Sequence, residues 1–217
     1  MHITAEIRYF WHEAPPKNLE AWFLNKQIHN NVAAGGGKSR VDTYLFDKNQ
    51  DSLGIKARAD RSGVEIKGLV CRGFGDLEIE PFAASIDLWT KWISEPLDLQ
   101  KYRTIAVEKT RWIRKFDTYS VEPVELNLNE LEQGVDHEGQ VNDRPGPTEG
   151  CIVELTKVTI DGDRWWTLGF EAFGTLKRVS SSLKSVATLL ASRQAPQMKS
   201  SSIASYPAWL CETYKEK

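Results

Sequence analysis

The sequence has few of the residues that build covalent or metal-bound frameworks. Its 217 residues include three cysteines, Cys71, Cys151 and Cys211, widely spaced and without a C-x-x-C pair. An odd, scattered set supplies neither a disulfide framework nor a zinc site, so a reducing compartment is expected. The four histidines, His2, His12, His29 and His137, show no metal-ligand spacing, and surface positions are the expectation for them. There is no apolar signal segment near the N-terminus and no apolar run approaching the roughly 20 residues that span a bilayer. A cytoplasmic location is therefore expected. Basic excess is missing too: 28 Lys and Arg face 30 Asp and Glu, a formal net charge of −2. That balance excludes a general nucleic-acid binder but leaves room for a local basic site. Internal repeats are absent. Gly35-Gly36-Gly37-Lys38-Ser39 has the end of a phosphate loop, but Val32 stands where the first glycine belongs, and no strand precedes it. A surface linker over residues 33–38 fits better.

What the sequence does have is alternation with charge on one parity. Hydrophobic content of 41% and charged content of 27% suit a globular domain, and the chain is long enough to bury a core. Residues 53–69 form the clearest unit. Leu53, Ile55 and Ala57 alternate with Lys56, Arg58 and Asp60, a turn falls at Arg61-Ser62-Gly63, and Val64 and Ile66 then alternate with Glu65 and Lys67. This predicts an antiparallel hairpin whose polar face carries Lys56, Arg58 and Lys67. Like charges on adjacent strands repel, so that face needs water or an anion.

The same pattern recurs along the chain. Residues 3–11 place Thr4, Glu6, Arg8 and Phe10 opposite Ile3, Ala5, Ile7 and Tyr9. Strands are predicted at 40–47, 76–81, 102–116, 151–160 and 165–173, the last two joined by the hairpin turn Asp161-Gly162-Asp163. Glu78 and Glu80 share a parity on the 76–81 segment; Lys109 and Arg111 share one on 102–116. Glu154 lies on 151–160, and Gly169 and Glu171 on 165–173. Helical spacing is predicted at 18–30, at 83–94 through Ile86, Leu88, Trp89, Trp92 and Ile93, and at 176–192. Residues 127–149 are polar with Gly134, Gly139, Pro145 and Pro147, which predicts a long loop. The tail, 193–217, is expected to be short and polar with one last turn around Trp209.

About eight strands joined by hairpins or helical excursions predict an α+β fold, mainly antiparallel β: an eight-stranded, tunnel-like barrel with flanking helices. The barrel would occupy about 3–174 and a C-terminal helical segment about 175–217, in one domain. If the helices pack outside, the apolar parity faces out and the charged parity lines the interior. Such a lining is costly unless wet and neutralised by a ligand. Closely spaced Lys and Arg suit a polyphosphate; carboxylates beside them suit Mg²⁺ or Mn²⁺.

At these residues the sequence resembles the CYTH superfamily, the triphosphate tunnel metalloenzymes. The resemblance rests on order and parity over roughly 3–192: an acidic first strand, the Lys/Arg hairpin, Glu78-Ile79-Glu80, Lys109-Thr110-Arg111, then Glu154 and Glu171. It implies a divalent-metal-dependent phosphohydrolase acting on a triphosphate, with Arg8, Lys56, Arg58, Lys67, Lys109 and Arg111 on the phosphates. Glu6, Glu154 and Glu171 would hold Mg²⁺ or Mn²⁺, and Glu78 and Glu80 would support them. The ligand would be a small-molecule polyphosphate or a nucleoside- or thiamine-type triphosphate, with no specific nucleic acid and no membrane as partner. Two places depart from the family pattern. Thr4 and Arg8 flank Glu6 where Glu-x-Glu-x-Lys is expected, and Gly169 precedes Glu171 where Glu-x-Glu is common. The alternative reading is thus a non-catalytic nucleotide- or polyphosphate-binding protein that has lost part of its metal site. A third is an adaptor using Trp-rich surface and the 127–149 loop.

Overall fold

The structure, a computed structural model, describes residues 2–59, 62–95, 97–128 and 147–214. Eight antiparallel strands close on themselves. In spatial order they are β1 (His2–His12), β5 (Ala84–Ser94), β4 (Val64–Leu77), β3 (Leu53–Arg58), β2 (Gly35–Leu45), β6 (Thr104–Asp117), β8 (Gly150–Ile160) and β9 (Asp163–Phe173). The ring is sealed where β9 pairs with β1, from Thr4 opposite Phe173 to His12 opposite Trp165. Among the described residues, two short strands lie outside it: β7 (Val124–Leu126) on β6, and β10 (Ser202–Ile203) on β1 at Tyr9 and Phe10. No helix among the described residues is long and apolar enough to cross a membrane.

Alternation decides which face is which. Ala5, Ile7 and Tyr9 of β1, Val153 and Leu155 of β8, and Leu168, Phe170 and Ala172 of β9 are buried in one cluster. That cluster includes Leu19, Trp22 and Phe23 of α1 (Leu19–Leu24) and Val179, Leu183, Val186 and Leu190 of the helix at Val179–Ser192, α2. Two helices thus cover the barrel wall from outside, and the main hydrophobic core lies between wall and helices. Burying a side chain of this size contributes about 1.5–3 kcal/mol, so the apolar parity is held outward and the charged parity turns in, as the sequence predicts.

One end of the interior is closed by the C-terminal segment. The short helix α3 (Tyr206–Thr213) starts at Ser205, whose side chain accepts a hydrogen bond from the Ala208 N–H, with a proline in its first turn. Its Trp209 stacks on Phe10, ring centroids 4.7 Å apart, and with Leu210 joins Tyr44, Phe46, Val107, Val158 and Ile160 in a second apolar cluster.

Four expectations are corrected. Residues 84–94 are strand β5, not helix. Ile86, Leu88 and Trp92 fit either period, and pairing with β1 and β4 along its length decides the matter. The 76–81 strand is also lost. β4 continues to Leu77 through bulges near Cys71, and Glu78 and Glu80 are exposed residues between β4 and β5. The glycine-rich segment is the beginning of β2 rather than a linker, with Gly36 and Gly37 at positive φ beside a register shift against β6. The tail holds an ordered helix that plugs the barrel. Positions 129–146 of the expected 127–149 loop lie outside the described residues.

Candidate functional site

The inward parity builds a charged cavity of about 210 Å³ next to the α3 plug. Among the described residues, eight basic side chains line it: Arg8, Arg40, Lys56, Arg58, Lys67, Lys91, Lys109 and Arg111. All six cations expected from the sequence are therefore brought together, although they come from four strands. Register explains the convergence. Arg8 lies opposite Gly169, Gly169 opposite Glu154, Lys109 opposite Arg40, Lys56 opposite Glu65, and Lys67 opposite Lys91. Solvent access rises away from α3, from 4% for the Lys109 side chain to 28% for that of Arg111. The cavity is thus blind at the plug and open at the other end.

Among the described residues, five carboxylates face these eight cations, and their pairing is uneven. Glu65 takes both Lys56 and Arg58 at 2.9 Å. Glu154 takes Arg8 at 3.2 Å and Arg111 at 3.0 Å, and the fully buried Asp42 takes Arg40 at 2.9 Å and Lys109 at 3.1 Å. Glu6 pairs with Lys67, and Glu171 with Lys91. Three carboxylates therefore each carry two cations, which leaves the described residues of the interior with an excess of three positive charges in a chain whose net charge is −2. In addition, the Arg58 Nε is buried without a hydrogen-bond partner among the described residues. An unsatisfied buried donor costs about 1–3 kcal/mol, so this one is poised for an acceptor.

Protonation follows the crowding. Burial opposes ionisation of Glu65, but Lys56 and Arg58 outweigh it and hold the carboxyl at about 2; Lys67 and Lys91 do the same for Glu6, also at about 2. Glu154 is held well below the usual carboxylate range by Arg8 and Arg111 despite burial. All three are anions at neutral pH. Burial draws Lys56, Lys67 and Lys109 below the ordinary 10.5, and a neighbouring cation adds to this in each case. Lys91 is raised instead, because Glu171 and Glu6 outweigh its burial.

The expected metal ligands do not form a metal site. Glu6 and Glu171 lie directly opposite each other on β1 and β9, yet each is bonded to its own lysine, and Glu154 is held between two arginines. No group of three or more acidic, His or Cys side chains suited to a metal occurs among the described residues. Glu78 and Glu80, expected as supporting acids, are exposed outside the barrel. Gly169 supplies the clearest reason. A Cβ added there would lie 2.5 Å from the Arg8 Cζ. The place where an acid is expected is filled by a guanidinium, which also donates to the Thr167 hydroxyl at 2.8 Å. A divalent cation would have to displace this array, so the donor set does not fit one.

Several members of the site escape sequence reasoning. Lys91 is hidden by the helix reading of 83–94. Arg40, Asp42 and Tyr44 share one parity of β2, and Glu65 shares that of Lys67, so period-two counting could have found all four. Tyr206 had no such signal. It comes from the C-terminal plug, and its ring packs under Lys109 at 3.9 Å and Arg8 at 4.8 Å. Cys151 is buried with its thiol pKa raised by desolvation, which suits a core residue rather than a nucleophile.

Neither a protein-family model nor a curated protein matches the chain.

Proposed function

We propose that the protein binds a compact polyanion of polyphosphate type in the barrel cavity, through its cations and without a resident metal. The observation that carries this reading is the mismatch of eight cations to five carboxylates in a desolvated cavity. Each doubly loaded carboxylate leaves one cation's charge uncompensated, and a ligand with several anionic oxygens a few ångströms apart supplies the missing charge. Arg58 and Arg111 present planar donors for bidentate contacts, while Lys56, Lys67 and Lys109 act as point charges. Ion pairs alone would explain the array poorly, since buried pairs rarely add net stability. The same cations and the same barrel topology are what the resemblance to triphosphate tunnel proteins leads one to expect. The departures at Thr4 and Gly169 fall on the acids, while Arg8 keeps a cation where Lys is expected, which favours the binding protein over the metallohydrolase.

The test is titration with tripolyphosphate in EDTA, read by calorimetry and thermal shift. Binding and stabilisation are expected to persist in EDTA, to weaken as salt is raised, and to shrink at least tenfold in Arg58→Ala. Stabilisation that requires Mg²⁺ or Mn²⁺, or release of phosphate from tripolyphosphate with either metal, would replace this reading with the hydrolase.

A further inference from the structure

The inward parity changes character along the barrel axis. On β6 the inward series runs Lys109, Arg111 and then Ile113, and on β5 Lys91 is followed by Ile93. On β8 Glu154 gives way to Ile152, and on β9 Glu171 gives way to Phe173. Each change falls at the next inward position toward the open end. Register makes these residues neighbours: Ile113 lies opposite Glu154, Ile152 opposite Glu171, and Phe173 opposite Thr4, which follows Glu6 on the inward face of β1. The result is a largely apolar arc across β5, β1, β9, β8 and β6, just outside the charged belt. Ile113 and Ile152 line the cavity itself. The Phe173 ring lies across Gly150, where an added Cβ would meet its Cζ at 2.8 Å. On the facing strands β2, β3 and β4 the lining stays charged, with Arg40, Arg58 and Glu65.

An apolar rim on a charged cavity is costly in water. Ile93 is 60% exposed, and the segment following β6 at the same end adds Tyr119 at 73% and Val121 at 96%. Single exposed hydrophobics are ordinary, but apolar surface gathered at the mouth of a binding cavity marks a place for a ligand. The cavity, at about 210 Å³, is smaller than the roughly 300–1,000 Å³ of ordinary small-molecule sites. It suits the phosphate part of a ligand and leaves an organic part outside. The ways out differ in chemistry. Tyr206 and Pro207 of the plug close one end. An opening in the wall between β10 and the start of β5 carries Arg72, Asp87 and Glu212 beside Arg8 and Lys67, so it is a charged route. The open end offers apolar surface instead. The excess of three positive charges also matches a diphosphate monoester, whose three ionisable oxygens carry as many negative charges.

We infer that the ligand is a diphosphate ester of a single hydrocarbon chain, of the isoprenyl kind. Its diphosphate sits among the cations, and its chain leaves the barrel across Ile113, Ile152, Phe173 and Ile93. This inference rests on the polyanion reading above and specifies an apolar organic part for that ligand.

The test is calorimetry in EDTA with tripolyphosphate, inorganic diphosphate, geranyl diphosphate and ADP. Geranyl diphosphate is expected to bind roughly tenfold or more tightly than inorganic diphosphate, although esterification removes one negative charge. It should exceed ADP, whose organic part is polar, by a similar factor. Its heat-capacity change should be more negative than that of inorganic diphosphate, the mark of apolar burial. Ile93→Thr and Ile152→Thr should each weaken geranyl diphosphate about threefold or more and leave inorganic diphosphate within about twofold. Ile93 is exposed, so its variant keeps the test usable if Ile152→Thr fails to fold. Geranyl diphosphate binding no tighter than inorganic diphosphate, or unchanged in Ile93→Thr and Ile152→Thr, overturns the inference and leaves the polyanion reading intact where tripolyphosphate still binds. Capture of the protein by phosphatidic acid vesicles without binding of free geranyl diphosphate overturns it in favour of a bilayer headgroup. Failure of wild type to bind any of the four refutes both.

Discussion

Replacing Glu154 by Gln separates the two readings of the cavity by the sign of its effect. Glu154 bridges Arg8 and Arg111 at 3.2 and 3.0 Å, and its ionised form is strongly favoured there. A phosphate seated on the far side of those guanidiniums would lie about 6 Å from the carboxylate, given hydrogen bonds of ordinary charge-assisted length on both sides. Repulsion between unit charges at that distance is about 0.7 kcal/mol in a water-like dielectric and about 2.8 kcal/mol at an effective dielectric of 20. Removing the carboxylate charge should therefore tighten tripolyphosphate binding by roughly threefold to a hundredfold. The free protein should lose stability at the same time, by about 2 kcal/mol, because two partly buried arginines lose their counter-charge. At this chain length that corresponds to a fall in Tm of roughly 4–8 °C. The assay is calorimetry with tripolyphosphate in EDTA, alongside thermal melts of free and bound protein. Weaker binding in Glu154→Gln would refute the reasoning, and a stabilisation by Mg²⁺ or Mn²⁺, measured without EDTA and abolished by the substitution, would make Glu154 a metal ligand.

Other perturbations follow from the same charges. Glu65 and Glu6 are held at about 2 against an ordinary 4.5, so their contribution is complete above 4.5 and is lost as pH falls through about 2. Each contributes of order 3 kcal/mol by linkage, and urea melts between pH 5 and 2 should show the loss. At the alkaline side Lys56, Lys67 and Lys109 lose their protons below 10.5 in the free protein, and a bound polyanion raises them again. Tripolyphosphate affinity should therefore fall as pH approaches 10.5, with proton uptake on binding, seen as a dependence of the measured heat on buffer ionisation enthalpy. Gly169→Ala should push Arg8 off Glu154 and Thr167 and weaken tripolyphosphate binding several-fold without a gain in metal binding. Away from the cavity, Glu125 holds the buried Arg114 and Arg193 on the outer wall, beside a His29 whose pKa burial and these two arginines lower to about 3. Glu125→Gln should cost about 3–5 kcal/mol in chemical denaturation and leave tripolyphosphate affinity within twofold.

How much of this was legible depends on the range of the physics involved. Alternation is a property of neighbouring residues, so Glu6, Arg8, Lys56, Arg58, Lys67, Lys109, Arg111, Glu154 and Glu171 could be placed on inward parities from the chain alone. The barrel followed from counting such segments. Residues 84–94 could not be read, because their apolar spacing satisfies two periods and the choice is made by β1 and β4, remote in sequence. That one error concealed Lys91. Glu78 and Glu80 carried the right spacing in the wrong place, since strand β4 stops at Leu77 and alternation has no meaning in a turn.

The sequence by itself determined that this chain folds as a mainly antiparallel barrel with its charge turned inward, because a period of two leaves each strand a single apolar face to bury. Only the tertiary structure decided how those charges are shared. Pairing across strands far apart in the chain gave Glu65, Glu154 and Asp42 two cations each, set the Arg8 guanidinium over Gly169 where an acid was expected, and brought Tyr206 and Trp209 from the C-terminus to close one end. Those outcomes turn on distances of a few ångströms between remote segments, on which Coulomb energies in a desolvated cavity depend and which no local pattern records.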